Sequence, residues 1–322
     1  MRAPPFINRM RQRLRLTDRP GSKRALRAER MPGDGEIRDM FLAGLCLGAR
    51  QKQVDVKATS AGDALSVFRG AGLEYEESRL YQPGDDPRFI NWRLSARSGN
   101  LQSKLFREER RRGTLIVIDR RNSMRFGTQK RHKLAQAARV AAIVAARSHY
   151  EHGSIETLLF DVGLNWSVPV TSEHAILGLL RQVVADAMQP ADEPREVAVD
   201  ELLDLLEERV RPGTSITLIS DLSGFERSDA RRLMRLAGEN PLKVILLHDP
   251  AELQLPAAGR LQFEGAGGRF ELDTADPSVR NNFRQMAEAY FANKRALLSE
   301  SGIVCTMLST LVDEPEKLLA DG

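Results

Sequence analysis

One short stretch constrains the fold of this 322-residue chain more than any other. Thr114–Asp119 is a run of apolar, mostly branched residues that ends abruptly at an aspartate. A continuous apolar run is typical of a strand buried on both faces, as in a parallel sheet covered by helices. The Ala-rich segment Lys133–Tyr150 follows with the spacing of a long helix. The stretch therefore predicts half of a β-α-β unit, with Asp119 at the carboxyl end of the strand, where ligands bind in open α/β sheets.

The same pattern recurs through the second half of the chain. Three further apolar runs end at Asp161, Asp221 and Asp249, and helical segments separate most of them. A short strand at residues 165–170 follows a tight turn, so we expect it to be antiparallel at a sheet edge. The other predicted strands begin near residues 114, 155, 215, 242 and 303. This alternation predicts an α/β fold with a mostly parallel open sheet and helices on both faces.

Charge and turn residues divide the chain into three predicted parts. Residues 1–35 form a basic flexible tail, because the first thirty residues hold ten Lys or Arg against two acids. Residues 36–112 form a helix plus β-meander module, and residues 113–322 form the α/β domain. The irregular spacing of the tail, almost without aromatic residues, argues against specific nucleic-acid binding. Contact of the tail with an anionic membrane surface or an acidic partner remains open.

Hydropathy and cysteine content bear on the location of the protein. No apolar run approaches the roughly 20 residues that span a bilayer, and residues 1–30 lack the apolar core of a secretory signal. Cys46 and Cys305 lie far apart in apolar surroundings. This placement favours two buried thiols in a reducing compartment over a disulfide. We therefore expect a cytoplasmic protein.

A small antiparallel meander is predicted in front of the main sheet. Its candidate strands are residues 73–81, 89–94 and 101–106. Between the first two, Pro83-Gly84 suits a type II turn, because glycine accepts the positive φ angle that this turn requires. We expect Trp92, in the middle candidate strand, to be buried.

The turn of the meander also carries two aspartates. Asp85 and Asp86 follow Gly84 directly, and such side chains commonly bond the backbone amides of their own turn. We expect them to bond these amides or a nearby arginine, Arg88 or Arg97, and not a metal ion.

The meander contains an ordered set of residues that points to a family. Gly70-Ala-Gly-Leu-Glu leads to Tyr81-Gln-Pro-Gly-Asp-Asp, and then to Ile90-Asn-Trp and Ser95-Ala-Arg. With this spacing the segment resembles the signature of the domain of unknown function 58 family, and Lys104-Leu-Phe-Arg-Glu-Glu also matches. Asn91 stands where that family usually has Asp. The resemblance covers roughly residues 37–250.

The resemblance implies an architecture and a partner. Members of this family typically end in a von Willebrand factor A-like domain, which here would be the predicted α/β domain. Their genes often neighbour those of MoxR-type AAA+ ATPases, so the resemblance implies such an ATPase or its client as the partner. It also implies structural roles for the motif residues Tyr81, Pro83, Gly84, Asp85, Asp86, Arg88, Trp92 and Arg97.

The loop after the first strand of the α/β domain is a candidate metal site. Von Willebrand A domains often hold Mg²⁺ with an Asp-x-Ser-x-Ser loop and a later Asp, and carboxylate and hydroxyl oxygens suit this ion. Asp119, Ser123 and Asp221 occupy matching positions, but Arg121 replaces the first serine. A guanidinium cannot ligate a cation. The pattern therefore predicts a degenerate site, with Arg121 paired to Asp119 or Asp221 as the alternative to a bound ion.

Two functions from different classes agree with these patterns. The first is a non-enzymatic interaction or adaptor module that works with a MoxR-type ATPase in protein complex assembly or maturation, with Arg120, Arg121 and Arg125 lining its interaction edge. The alternative is a Mg²⁺-dependent phosphohydrolase that uses Asp119. Against it, Arg121 stands where such an enzyme needs a second Asp. The sequence also contains no phosphate-binding loop and no nucleophile elbow. We therefore predict a binding protein without catalytic residues or a resident cofactor.

Overall fold

The chain divides into two units, which are described separately below. Met1–Val54 and Arg112–Gly322 form the large unit, and Asp55–Arg111 form the small unit. The computed structural model describes the backbone of residues 13–15, 31–59, 73–108, 113–151, 153–185, 196–265 and 268–319. Most of the predicted basic tail lies outside these residues. None of the helices in the described ranges is both long enough and apolar enough to cross a membrane.

The described residues form short and medium-length elements that alternate along most of the chain. The strands are β1 (Arg13–Arg15), β2 (Leu73–Leu80), β3 (Gln102–Glu108), β4 (Thr114–Asp119), β5 (Ile155–Phe160), β6 (Leu164–Trp166), β7 (Ser215–Ser220), β8 (Leu242–His248), β9 (Arg260–Gly265), β10 (Gly268–Asp273) and β11 (Val304–Ser309). The helices are α1 (Asp34–Thr59), α2 (Trp92–Ser98), α3 (Lys133–Tyr150), α4 (Glu173–Val184), α5 (Val199–Arg209), α6 (Arg227–Glu239), α7 (Pro250–Leu253), α8 (Pro277–Glu300) and α9 (Pro315–Leu319).

A six-stranded sheet with the order β11-β8-β7-β4-β5-β6 forms the centre of the large unit. The pairs from β11 to β5 are parallel, and β6 is antiparallel to β5 at the edge. This arrangement confirms the predicted mostly parallel α/β fold, including its antiparallel edge strand. It is consistent with a von Willebrand A-like or Rossmann-like topology.

Helices cover both faces of this sheet, and the pattern of β4 explains why. All six residues of β4 are buried. Ile116 and Ile118 pack into a core shared with α1, α3 and α4. Leu115 and Val117 pack into a second core shared with α5, α6 and α8. Because successive side chains of a strand point to opposite faces, a strand between two cores needs a continuous apolar run.

A second sheet of the large unit combines distant parts of the chain. The strands β9 and β10 form a hairpin and pair in antiparallel fashion. The short strand β1 pairs with the other side of β9, with Leu14 opposite Phe263. Three residues of the predicted tail therefore lie in a sheet, an arrangement that local sequence patterns do not indicate.

The small unit contains a two-stranded hairpin and a helix where a three-stranded meander was predicted. Among its described residues only β2 and β3 pair as strands, and the predicted middle strand at residues 89–94 is wrong. Ile90 makes a single bridge to Ser103, and the helix α2 begins at Trp92. Asn91 caps this helix by accepting a hydrogen bond from the backbone amide of Leu94 at 3.2 Å. The cap explains the difference, because it satisfies an amide at the helix start and ends the extended segment.

Trp92 is exposed, which also differs from the sequence prediction. Its side chain is 67% accessible, whereas Ser95 on the same helix is buried. The hydroxyl of Ser95 accepts a hydrogen bond from the backbone amide of Gln102 at 2.8 Å. The polar side chain of Ser95 therefore faces the hairpin, and the aromatic side chain of Trp92 faces solvent.

The turn after β2 agrees with its prediction. The Asp85 amide donates to the Gln82 carbonyl at 3.0 Å, and Gly84 has a φ of 112°. Asp85 accepts bonds from the Gln82 amide at 3.0 Å and from Arg79 at 2.7 Å. Asp86 accepts the backbone amide of Arg88 at 2.9 Å and pairs with its guanidinium at 2.6 Å. The aspartates therefore bond amides and arginines as predicted, although Arg79 was not foreseen.

Candidate functional site

Three neighbouring strands of the central sheet bring polar side chains together at their carboxyl ends. β4 ends at Asp119, Ser220 and Asp221 lie at the end of β7, and Asp249 follows β8. These four side chains have no solvent exposure. Buried polar groups destabilise a protein unless internal partners satisfy them, so this edge requires a complete set of partners. We call this edge, with the partners described below, the carboxyl-edge network.

Arg121 is the main partner of Asp119. Its Nε lies 3.0 Å from Oδ1 of Asp119 and its Nη2 lies 2.8 Å from Oδ2, a bidentate pair. The backbone amide of Arg121 donates to Oδ1 at 3.0 Å, and Ser220 Oγ donates to Oδ2 at 2.7 Å. The guanidinium also lies over the ring of Phe160, 5.0 Å from its centroid. Each oxygen of Asp119 thus accepts two hydrogen bonds.

Lys133 is the partner of Asp221. Its Nζ lies 2.6 Å from Oδ2 of Asp221 and 2.8 Å from Oε1 of Glu252. The other oxygen of Asp221 accepts the backbone amide of Ser223 at 2.8 Å. Lys133 is the first residue of α3 and has no solvent exposure. A cation at a helix N-terminus is opposed by the helix dipole, so the two carboxylates must offset that cost.

Asp249 closes the network on the side of β8. Its side chain accepts bonds from the amide of Thr128 at 3.0 Å and from the hydroxyl of Thr310 at 2.9 Å. It also caps the short helix α7, with the amide of Ala251 at 3.0 Å. The amide of Asp249 in turn donates to Glu252 Oε2 at 2.8 Å, which links it to Lys133 through Glu252. Asp249 therefore holds three loops together.

The charge on Arg121 is secured by its surroundings. Burial of the guanidinium lowers its pKa, but the charge of Asp119 and the hydrogen bonds to it outweigh this effect. Asp221 and Glu196 act in the same direction, so the pKa of Arg121 lies above its ordinary value. Arg121 is therefore a permanent positive charge beside Asp119.

The predicted Mg²⁺ ligands do not fit a metal ion in this arrangement. Mg²⁺ requires near-octahedral oxygen donors at about 2.0–2.1 Å. The oxygens of Asp119 face Arg121 and Ser220, and one oxygen of Asp221 faces Lys133. Two fixed positive charges at these carboxylates repel a divalent cation. Among the described residues, no group of three or more His, Cys, Asp or Glu could hold a metal.

Arg120 has a different role from the one predicted for it. Its Nη1 and Nη2 donate to the carbonyls of Gln182 and Ala185 at the end of α4, at 3.1 and 3.3 Å. Its Nε lies 3.4 Å from Asp161. Helix-terminal carbonyls and a carboxylate attract a guanidinium inward, which is the physical reason for its burial.

The predicted interaction edge must be corrected accordingly. Arg120 and Arg121 are only 6% and 7% exposed, and Arg125 is half-buried. The prediction that these three arginines line an open edge is therefore wrong for Arg120 and Arg121. Ser123 is also buried, in the short 3-10 helix at residues 122–125.

Comparison with known proteins identifies the family. The model of the family described as "Protein of unknown function DUF58" matches residues 77–292, which is more than half of the chain. The chain belongs to the DUF58 family. This finding confirms the resemblance inferred from the motif of the small unit.

Relatives of this DUF58 protein align with it over most of their length. The uncharacterized proteins Rv1480 of Mycobacterium tuberculosis and Mb1516 of Mycobacterium bovis are 28% identical over 282 residues, covering 86% of this chain and 87% of theirs. Among solved structures, BatB of Bacteroides thetaiotaomicron aligns with a TM-score of 0.43 at 14% identity, over 65% of this chain and 96% of that one. An aerotolerance-related membrane protein of Bacteroides fragilis aligns with a TM-score of 0.41 at 13% identity, over 65% and 97%.

Five members of the carboxyl-edge network in this DUF58 protein were not predicted, among them Thr128 and Thr310 beside Asp249. Lys133, Ser220 and Glu252 are all buried, and each bonds a carboxylate or a backbone group of the network. One local signal could have indicated Lys133. A lysine at the first position of an Ala-rich helix is unfavourable by itself, and such a placement calls for acidic partners.

Proposed function

We propose that this DUF58 protein is a non-enzymatic interaction module that works with a MoxR-type AAA+ ATPase. In this role it would act as an adaptor in the assembly or maturation of a protein complex in the cytoplasm. The sequence resemblance supports the partner, because DUF58 genes often neighbour those of such ATPases. The carboxyl-edge network supports the absence of catalysis by this chain.

The proposal rests on the burial and the hydrogen bonds of Asp119. A carboxylate that attacks phosphorus or binds a catalytic metal must present an oxygen to the substrate or the metal. Asp119 has no solvent exposure, and Arg121 and Ser220 occupy both of its oxygens. Breaking such a buried pair costs about 3–5 kcal/mol. The edge is thus arranged for a fixed structure, and no contact in it favours the alternative phosphohydrolase.

Two measurements test the proposal together. Multi-angle light scattering of the purified chain with a MoxR-type ATPase from the same genome, with and without ATP, measures association. We expect a complex whose amount depends on nucleotide. A phosphatase assay with p-nitrophenyl phosphate and Mg²⁺ measures turnover by the chain alone, with Asp119→Asn as the matched variant. We expect no difference between the two proteins.

Each measurement has a clear contrary outcome. Absence of any complex under both nucleotide conditions would remove the ATPase as the partner. Turnover that Asp119→Asn abolishes would establish an enzyme and overturn the non-enzymatic proposal.

A further inference from the structure

Exposed apolar side chains are concentrated at one end of the hairpin in the small unit. Leu80, Trp92 and Leu101 are 59%, 67% and 47% accessible. Isolated exposed apolar residues are ordinary on protein surfaces, whereas adjacent ones mark interaction sites.

The pairing of the hairpin brings the three residues around Gln102. Leu80 is the residue paired with Gln102, and Leu101 precedes Gln102 in the chain. The amide of Asn91 donates to the carbonyl of Gln102 at 2.8 Å, which places Trp92 next to the same position. Leu80 and Trp92 therefore flank Gln102, whereas Leu101 faces the opposite side of the hairpin from Leu80, because successive side chains of a strand alternate.

The charges around this apolar group are predominantly positive. Residues 78–104 contain five Lys or Arg and two Asp, a net charge of +3. Arg79 and Arg88 pair with the two aspartates. The other two arginines, Arg93 and Arg97, lie on α2 with Trp92, and both are exposed.

We propose that this face docks an acidic amphipathic segment of a partner protein. We define the Trp92 surface as Leu80, Trp92, Arg93 and Arg97. Trp and Arg are the side chains that most often dominate binding energy at interfaces, and Arg matches carboxylates bidentately. Apolar residues of the segment would cover the apolar group, and its acids would meet the arginines. The inference rests on the proposed function, since it assigns a surface to the interaction module.

Two other occupants fit the Trp92 surface less well. Anionic membranes attract clusters of about four to eight Lys or Arg, and pairing with Asp85 and Asp86 neutralises two of the five here. A second copy in a twofold contact would bring Arg93 and Arg97 against the same arginines, and like charges oppose association. An acidic protein segment avoids both difficulties.

Tryptophan fluorescence of the full chain provides the test. The chain has two tryptophans, so Trp166→Phe leaves Trp92 as the only one. The probe is a synthetic helical peptide of Glu, Leu and Ala, and the comparison is its Lys, Leu and Ala counterpart. We expect the acidic peptide to shift Trp92 emission to shorter wavelength in a saturable way that weakens with salt. The basic peptide should leave the emission unchanged.

Charge reversal identifies the surface that binds. Arg93→Glu/Arg97→Glu should weaken binding of the acidic peptide by at least about tenfold. The matched control Arg211→Glu/Arg227→Glu reverses two exposed arginines of the large unit and should leave binding unchanged. Circular dichroism and thermal melting of each variant verify that it is folded.

Four results would overturn the assignment: no binding of the acidic peptide, equal weakening in both double variants, binding to phosphatidylserine vesicles in place of the peptide, or dimerisation through Trp92. The ATPase experiment separates this inference from the proposed function. If the ATPase binds Arg93→Glu/Arg97→Glu as tightly as the wild type, the Trp92 surface is excluded as its binding site, and the proposed adaptor function is unaffected. If the acidic peptide binds but the ATPase does not, the ATPase is excluded as the partner, and the Trp92 surface remains a binding site for acidic segments.

Discussion

The Nζ of Lys133 lies 2.6 Å from a carboxylate oxygen of Asp221, and both side chains have no solvent exposure. The two residues are 88 positions apart in sequence, and Glu252 adds a second carboxylate 2.8 Å from the same nitrogen. A lone ammonium or carboxylate in this place would be strongly destabilising. Lys133 therefore joins the start of α3 to the segments after β7 and β8, at the edge where the sequence pattern predicted a degenerate metal site.

Removing this cation should destabilise the protein strongly. We expect Lys133→Ala to lower the free energy of unfolding by about 3–5 kcal/mol, because Asp221 and Glu252 lose their shared cation. Urea denaturation followed by circular dichroism measures the effect. Lys130→Ala is the matched control, since Lys130 forms an exposed pair with Asp313 and should cost less than about 1 kcal/mol. Similar losses for the two variants would show that Lys133 is not a structural cation.

Arg121 should exclude Mg²⁺ from Asp119. We expect wild-type protein to bind Mg²⁺ more weakly than about 100 μM, which corresponds to about 5.5 kcal/mol. Arg121→Ser restores the serine of the metal-binding pattern and removes the competing charge, so its Mg²⁺ affinity should exceed that of the wild type. Isothermal titration calorimetry measures both, and Arg125→Ser controls for loss of an arginine from the same loop. Tighter binding by the wild type, abolished in Asp119→Ala, would contradict the internal-cation explanation.

The contact between α1 and α3 should depend on a glycine. A Cβ atom at Gly44 would lie 2.5 Å from the carbonyl oxygen of Ile143 and 2.8 Å from Cβ of Ala146. Because one of these atoms belongs to the backbone, we expect Gly44→Ala to cost about 1–3 kcal/mol in urea denaturation. Gly35→Ala in the same helix meets nothing within 4 Å and should stabilise by about 0.4–1 kcal/mol. Equal effects of the two substitutions would mean that the helices do not approach closely at Gly44.

The stability of the protein should fall in mild acid. Burial lowers the pKa of His248 below its ordinary value of 6.5, and the pKa of His132 is lowered for the same reason. As the pH falls below about 6.5, the unfolded chain binds protons that the folded chain disfavours. This contribution to stability is therefore complete above that pH and is lost as the pH decreases.

Substitution of these histidines separates their effect from other titrations. We expect His248→Asn to show a smaller loss of unfolding free energy between about pH 7.5 and pH 5.5 than the wild type. His132→Asn/His248→Asn should show a still smaller loss. Denaturant unfolding at the two pH values provides the comparison, and an unchanged loss in both variants would exclude these histidines as the cause.

The sequence alone was sufficient for the central sheet and the family. A strand with a core on each side must be apolar at every position. The four adjacent apolar residues Leu115–Ile118 are therefore enough to predict a strand buried on both faces. The motif at residues 70–97 identified the DUF58 family for a related reason, since its residues are close in sequence. A salt bridge of Arg121 with Asp119 was also expected as one of two alternatives, because only one residue separates them, and its bidentate geometry came from the structure.

Only the tertiary structure decided which groups complete the site and which face solvent. Lys133 bonds carboxylates 88 and 119 positions away, and no local pattern encodes such a distance. The aromatic run at residues 89–94 resembled a strand, but the cap of Asn91 and the bond of Ser95 to the hairpin produced a helix with Trp92 exposed. Burial depends on what packs against a side chain, whereas periodicity reports only the preferences of the segment itself.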